Sequence, residues 1–322
     1  MKLGFVVIGR NEGDRLVDCL TSIVATGCPV VYVDSGSTDD SLANAGKFGA
    51  EIVELDLSTP FTAARARNTG LKALVAGRPE LVFVHFIDGD CTLASDWLER
   101  AFPFIESRAD IAVVCGRRRE RFPQASVYNA LCEREWARPA GETKACGGDA
   151  IMRIEALQQV GGFRDELIAG EEPELCVRLR QHGWKIWRLD GAMTLHDAAM
   201  TRFTQWWRRM MRGGHAYGEV SLLHFRSAEG IWRKETARAL LWGAVLPAAI
   251  LLGGLFDQVV LAGFLVYPLQ IARIAWREGW RKPASWQYAA FMTIAKFAEA
   301  FGIIRFYVLT ALHARSGLIE YK

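Results

Sequence analysis

Four short runs with strand character divide the first part of the chain: the apolar Leu3–Ile8 and Val30–Val33, the mixed Glu51–Leu55, and the apolar Leu81–Ile87. A helical stretch separates each run from the next. Between the first two, Leu16, Leu20, Ile23 and Val24 recur at helical spacing, and further helices are expected through Ala45 and over Phe61–Leu74. Alternating strand and helix predicts parallel strands joined by right-handed crossovers. The expected fold is therefore α/β and Rossmann-like, with a mostly parallel central sheet flanked by helices. Such open sheets bind ligands at the carboxyl ends of their strands.

Those strand ends are polar here. The first run breaks at Gly9-Arg10-Asn11-Glu12-Gly13, the second at Asp34-Ser35-Gly36-Ser37-Thr38-Asp39, and the fourth at Asp88-Gly89-Asp90. Carboxylates at the end of a buried strand need partners, because an unpaired buried charge is costly. A divalent cation bridging Asp88 and Asp90 to a diphosphate meets that need. The competing reading is a capped turn, with Asp90 starting a helix over Leu93–Phe102. Asp39 is read as a helix cap and Asp34 as a ligand contact. Neither GxGxxG nor GxxxxGK[ST] follows the first strand, so a metal and arginines must neutralise any phosphate.

Further on, Ile111–Val114 reads as a strand running into the basic Gly116-Arg117-Arg118-Arg119-Glu120-Arg121, taken as a solvated strand edge. Gly147 and Gly148 in Cys146-Gly147-Gly148-Asp149 allow close backbone approach. Gly161-Gly162-Phe163-Arg164-Asp165-Glu166 is a turn. Glu171 and Glu172 open a helix with Pro173 in its first turn, where the helix dipole favours acids. A strand over Trp184–Leu189 precedes His196, which has both a structural and a ligand reading. The net charge is only +3, and no basic tract interleaved with aromatics occurs, so nucleic acid is not an expected partner. The seven cysteines lie scattered without CxxC spacing, which fits a reducing compartment and no disulfide framework. The opening Met1–Phe5 runs straight into a strand, so no signal peptide is expected.

Two domains are expected, 1–200 and 201–322. In the second, arginines and tryptophans cluster after Arg202. Two apolar halves then follow, Ala239–Phe256 and Val259–Ala272, split by Asp257-Gln258 and flanked by Arg238 and Arg273. This predicts a short membrane hairpin over 239–272, spanning or re-entrant, with both ends cytoplasmic. A buried helical hairpin is the other reading. The stretch Trp286–Leu312, which carries Lys296, Glu299 and Arg305, is expected to be an interfacial helix.

Taken together, the motifs from Lys2 to His196 resemble those of the family 2 inverting glycosyltransferases, with their GT-A nucleotide-diphospho-sugar transferase fold. The resemblance rests on Arg10-Asn11-Glu12, Val33–Asp39, Ala66-Arg67-Asn68-Thr69-Gly70, Asp88-Gly89-Asp90, Gly161-Gly162-Phe163 and Gly170–Leu175, in that order. It implies that Asn11, Glu12, Asp34, Arg67 and Asp88 contact the donor, with Gly147 and Gly148 flooring the sugar pocket. It implies that Asp90, with Asp88 and His196, holds Mg²⁺ or Mn²⁺. The general base would be Glu172, with Glu171 beside it, where the family shows Glu-Asp. Gln205-Trp206-Trp207-Arg208-Arg209 does not fit the Gln-x-x-Arg-Trp signature of processive synthases, so a single sugar is expected to be transferred. The implied partners are a nucleotide-diphospho-sugar donor, a lipid-linked or saccharide acceptor, and membrane lipids at the cytoplasmic face of the inner or plasma membrane. Two alternatives compete. Asp88–Thr92 also fits the DxDxT of haloacid-dehalogenase-type phosphatases, although three strands precede it here. A catalytically silent membrane scaffold is the other, and the retained Asp90 and Glu172 argue against it.

Overall fold

The computed structural model describes residues 2–313, together with 317 and 319. The chain divides into two compact units at Thr201. The first unit begins as the periodicity predicts: β1 (Leu3–Gly9), α1 (Asp14–Val24), β2 (Val30–Asp34), α2 (Ser41–Lys47), β3 (Glu51–Glu54), α3 (Ala63–Ala76) and β4 (Phe83–Asp88). It continues through β5 (Cys91–Leu93), α4 (Trp97–Ser107), β6 (Ile111–Glu120), α5 (Val127–Trp136) and β7 (Gly141–Glu142). It ends with β8 (Ala150–Arg153), α6 (Ile154–Val160), α7 (Glu171–Gln181) and β9 (Lys185–His196).

The sheet runs β3-β2-β1-β4-β8-β6-β9-β5, with β7 on β9. Strands β1 to β4 are mutually parallel, and β6 and β9 share their direction. The fold is thus mixed but mostly parallel. Simple alternation fails at β8, which inserts antiparallel between β4 and β6, and at β5 and β7, which pair antiparallel with β9. The sheet buries Phe5, Val6, Val7, Val31, Val33, Val84 and Phe86 against its flanking helices. Helix α3 lies close on the sheet because Gly70 has no side chain; a Cβ there would collide with Val6 and Val33.

Two local expectations are corrected. No helix starts at Leu93. Residues Cys91–Leu93 pair with Thr194–His196, so the chain after Asp90 is strand and Asp90 is not a helix cap. The basic run is a solvated edge only in part. Arg117, Arg118 and Arg119 lie inside β6, in register with Ala192, Thr194 and Leu195 of β9. This stretch is paired with β9 on one side only, and its side chains alternate between the two faces of the strand. Arg118 is thereby only 17% exposed, while Arg119 is at 44%.

The second unit is helical: α8 (Phe203–Leu223), α9 (Arg233–Leu240), a π-helical turn (Leu241–Val245), α10 (Leu246–Gly254), a 3₁₀ segment (Gln258–Leu265), α11 (Val266–Arg277) and α12 (Pro283–Ala311). Residues Arg233–Gly254 and Gln258–Arg277 form two helices long and apolar enough to cross a membrane, with mean hydropathy 1.6 and only 11% and 6% of the apolar window buried. The polar break falls at the turn between them, where Asp257 Oδ1 accepts the Val259 N–H at 2.9 Å. Helix α12 differs from the expected interfacial helix. It is the hub of this unit, packed against α8, α9 and α11. Small residues permit this: a Cβ on Gly214 would strike the Glu299 backbone, and one on Gly302 the Met211 carbonyl.

Candidate active site

The loops after β1 and β2 are laced together at the carboxyl edge. Asn11 adopts φ 55°, a left-handed conformation that asparagine tolerates. Its N–H donates to Ser37 Oγ at 2.9 Å and its Oδ1 accepts the Thr38 N–H at 2.7 Å. The Glu12 N–H reaches Ser41 Oγ, and the Glu12 carboxylate pairs with Arg15 at 2.8 Å. Asp39 accepts the N–H groups of Ser41 and Gly13, each at 3.0 Å, from the position before Asp40, which is the N-cap of α2 and makes no side-chain cap bond. Asp34 is buried, and its oxygens accept from the Gly36 and Ser37 N–H groups, the Tyr32 hydroxyl and the Ser37 hydroxyl, at 2.5–2.9 Å. Its carboxylate is therefore committed to shaping the loop.

At the end of β4 stands a charged cage. Arg67, buried on α3, donates from Nη2 to Asp88 Oδ1 at 2.8 Å and from Nη1 to Glu171 Oε1 at 2.6 Å. Arg118 of β6 donates to Asp88 Oδ2 at 3.1 Å and to Asp149 Oδ1 at 2.8 Å. Asp149 is fully buried and also accepts the Asp88 N–H and the Thr194 hydroxyl. Burial alone would lower the pKa of Arg67, but Asp88 and Glu171 outweigh it and hold the guanidinium charged. Arg118 behaves alike, with Asp149 the main opposing charge. Gly148 lines this cage: a Cβ there would lie 2.8 Å from Arg67 Nη2, 3.1 Å from Asp88 Oδ2 and 3.3 Å from Arg118 Nη2. Gly147 beside it holds φ 96°, a conformation that favours glycine.

Asp90 and His196 form a second, drier pair. Both are 6% exposed, and Asp90 Oδ2 lies 3.3 Å from His196 Nε2. His196 Nδ1 is buried with no hydrogen-bond partner and lies 3.7 Å from Glu120 Oε2, beyond hydrogen-bond range. Burial, more than anything else, lowers the His196 pKa, so the ring is neutral at pH 7 and has a lone pair to offer. A carboxylate oxygen 3.3 Å from Nε2 of a neutral imidazole fits a Mn²⁺- or Mg²⁺-sized cation shared by the two, while the unpartnered Nδ1 faces Glu120 instead. Cys91 lies within ligand reach of both, but burial and nearby carboxylates keep its thiol protonated. Asp88 stands apart from this pair, bonded instead to two guanidinium groups.

The acidic pair at the start of α7 splits in two directions. Glu171 joins the Arg67 cage. Glu172 is buried, and its Oε1 accepts the Cys146 N–H at 2.6 Å and the thiols of Cys146 and Cys176 at 2.9 Å each. Among the described residues, Glu172 Oε2 has no hydrogen-bond donor. Glu174, fully buried, is held by Arg164 and Arg178. Asn68 ties two motifs together: its amide accepts the Phe163 N–H at 3.0 Å and donates to the Phe163 carbonyl at 2.8 Å. Sequence reasoning missed Arg118, Asp149 and Glu120. The signal available was strand parity: with Arg117 and Arg119 on one face of β6, Arg118 must occupy the other.

A family model described as Glycosyl transferase family 2 matches residues 5–158. The chain is 29% identical over 181 residues to the succinoglycan biosynthesis protein ExoA of Rhizobium meliloti, covering 52% of this chain and 54% of that protein. It is 23% identical over 201 residues to glycosyltransferase AglE of Haloferax volcanii, covering 58% and 64%. It is 28% identical over 269 residues to the pre-mycofactocin glycosyltransferase of Mycobacterium tuberculosis, covering 77% and 52%. The chain thus spans between half and two thirds of the length of these relatives. Among solved structures, mannosyltransferase PcManGT of Pyrobaculum calidifontis, in complex with GDP-Man and Mn²⁺, superposes with a TM-score of 0.66 at 19% identity, over 94% of this chain and 87% of that one. S. aureus TarS 1-349 superposes with a TM-score of 0.50 at 18% identity, over 96% and 92%. These likenesses establish the fold.

Proposed function

The chain belongs to glycosyl transferase family 2, an enzyme family that transfers sugar from a nucleotide-sugar donor, and on that premise we propose a metal-dependent, inverting transfer of one sugar to a hydroxyl acceptor. The observation that carries this reading is the cage at the β4 end. It sets Arg67, Asp88, Arg118 and Glu171 in direct contact, one residue from the Asp90–His196 pair. The phosphatase alternative falls away, because the fold is that of the sugar-nucleotide transferases.

In this proposal the donor lies along the carboxyl edge, over the interlocked loops of Asn11, Glu12 and Asp34. Asp90 and His196 would hold Mg²⁺ or Mn²⁺, which when bound offsets the charge developing on the nucleoside diphosphate as it leaves. Arg67 and Arg118 fix Asp88 on both of its oxygens, so that it can orient the donor. Glu172 takes the proton from the acceptor hydroxyl at Oε2 as that oxygen attacks the anomeric carbon. The bond from that carbon to the diphosphate breaks in the same displacement, with inversion. Gly148 leaves the room that a sugar beside the cage requires. A solved relative of this fold is in complex with GDP-Man and Mn²⁺, and another with Mn²⁺ and UDP-Glc, which makes those donors the first to try.

The acceptor in this reading is a lipid-linked saccharide or polysaccharide precursor at the cytoplasmic face of the membrane. The support is the second unit, where Leu255, Phe256 and Val259 at the hairpin turn are 79%, 92% and 75% exposed. An apolar patch of this kind is unfavourable in water. A thermal-shift screen of UDP-, GDP- and dTDP-sugars with Mn²⁺ tests the donor reading. One of them should raise Tm only when the metal is present. No shift with any donor would refute it.

A further inference from the structure

The acidic pair of α7 is held by chemistry that the transfer reaction does not require. Three donors converge on one oxygen of Glu172: a backbone N–H and two thiols, from two separate elements. Cys176 lies one helical turn after Glu172, on the same face of α7. Cys146 comes from the loop that leads to Gly147 and Gly148. The two sulfurs are 3.9 Å apart, far beyond the ~2.05 Å of a disulfide, and both cysteines are free.

We propose that Cys146 and Cys176 are positioning residues for Glu172: their S–H groups hold Oε1 in place, so that Oε2 alone is left to accept the acceptor's proton. This rests on the reading of Glu172 as the base. Burial raises both thiol pKa values, that of Cys176 to about 11, so at neutral pH both sulfurs carry a proton and can donate it. A carboxylate on a surface loop would sample several rotamers. Here one oxygen is pinned from α7 and from the sugar-pocket loop at once. A shift of that loop would therefore move the base, which couples base geometry to the Gly147-Gly148 floor. Positioning of this kind acts on the rate of transfer and leaves donor binding untouched.

The test uses the full chain in detergent, with UDP-glucose and GDP-mannose plus Mn²⁺ as donors and water as acceptor, and follows release of the nucleoside diphosphate. Replacing both cysteines by alanine should lower kcat about tenfold, the scale of hydrogen bonds lost to a charged group, with donor KM unchanged. Replacing both by serine keeps the two donors and should restore most of the rate. In a Glu172→Gln background the alanine pair should cost nothing more, because the group it orients is gone. Tm is followed in every variant. The positioning is overturned if the alanine pair keeps full kcat while Glu172→Gln is slow, if serine is as slow as alanine, or if the alanine loss persists beside Glu172→Gln. A fully active Glu172→Gln enzyme overturns the base reading itself, and the positioning with it.

Discussion

Gly148→Ala places a single methyl group into the charged cage. Gly148 does not adopt a left-handed φ, so the backbone accepts alanine and the effect is steric. The new carbon would sit 2.8 Å from Arg67 Nη2 and 3.1 Å from Asp88 Oδ2. Relaxed non-bonded contacts lie near ~3.5 Å, so the guanidinium must retreat by about 0.7 Å. Its bond to Asp88 is 2.8 Å long, and such a shift takes it past about 3.2 Å, where hydrogen bonds weaken. A hydrogen bond to a charged group contributes about 1.5–3 kcal/mol, which corresponds to about tenfold to a hundredfold in nucleotide affinity. Calorimetric titration with GDP or UDP in the presence of Mn²⁺ reads this directly. Tm should fall by a few degrees as well, because the weakened Arg67–Asp88 bond belongs to the folded protein itself. Unchanged affinity in a folded Gly148→Ala protein would refute the placing of the donor against this cage.

Three further outcomes follow from the same geometry. Glu172→Gln should lower turnover about a hundredfold or more, the scale of a lost general base, with donor affinity unchanged; Glu171→Gln should instead weaken donor binding, because it releases Arg67, and the reverse pattern in steady-state kinetics would shift the base to Glu171. His85 is fully buried and its pKa is lowered to about 4, foremost by burial. Its neutral ring accepts the Trp97 indole N–H on Nε2 and donates from Nδ1 to the Phe86 carbonyl. The folded pKa lies below the unfolded value of 6.5, so the unfolded chain takes up the proton first as pH falls. That stability is complete above about pH 6.5 and declines toward pH 4, by about 3 kcal/mol in all. Urea midpoints for wild type and His85→Asn should converge on acidification; parallel curves would contradict a neutral buried His85. Finally, the full chain should sediment with membranes after a high-salt wash and need detergent for release. Recovery in the soluble fraction would make the 239–272 hairpin an internal or oligomer contact.

The periodic part of the chain was legible because β1, β2 and β4 are buried on both faces, and because α1 is amphipathic; β3, at the exposed edge, has no such signal of its own. The first four strands and three helices fall within a few residues of their expected places. The polar edge was legible for the same reason, since strands running in one direction bring their following loops together. What periodicity could not show was strand order. Nothing local tells Ala150–Met152 to insert antiparallel between β4 and β6, and that insertion brings Asp149 beside Asp88. Without the register of β6 on β9, Arg118 is one arginine in a basic run. Asp34 and Glu172 show a different limit. Their positions were read correctly as strand end and helix start, but the partners that occupy their oxygens, Ser37 and the two cysteines, are fixed only in three dimensions. The second unit's hairpin followed from its hydropathy and the polar break at Asp257. The central place of α12 depended on reciprocal contacts at Gly214 and Gly302, which composition does not reveal.

The most direct test of the account is calorimetric titration of UDP and GDP into the full-length protein, with and without Mn²⁺, for wild type and Asp90→Asn. Asp90 is the carboxylate whose Oδ2 stands 3.3 Å from the neutral His196 ring. The account predicts that at least one nucleotide binds the wild type in a Mn²⁺-dependent way, and that Asp90→Asn loses this dependence while keeping its fold. Equal, Mn²⁺-dependent affinity in wild type and Asp90→Asn would contradict it.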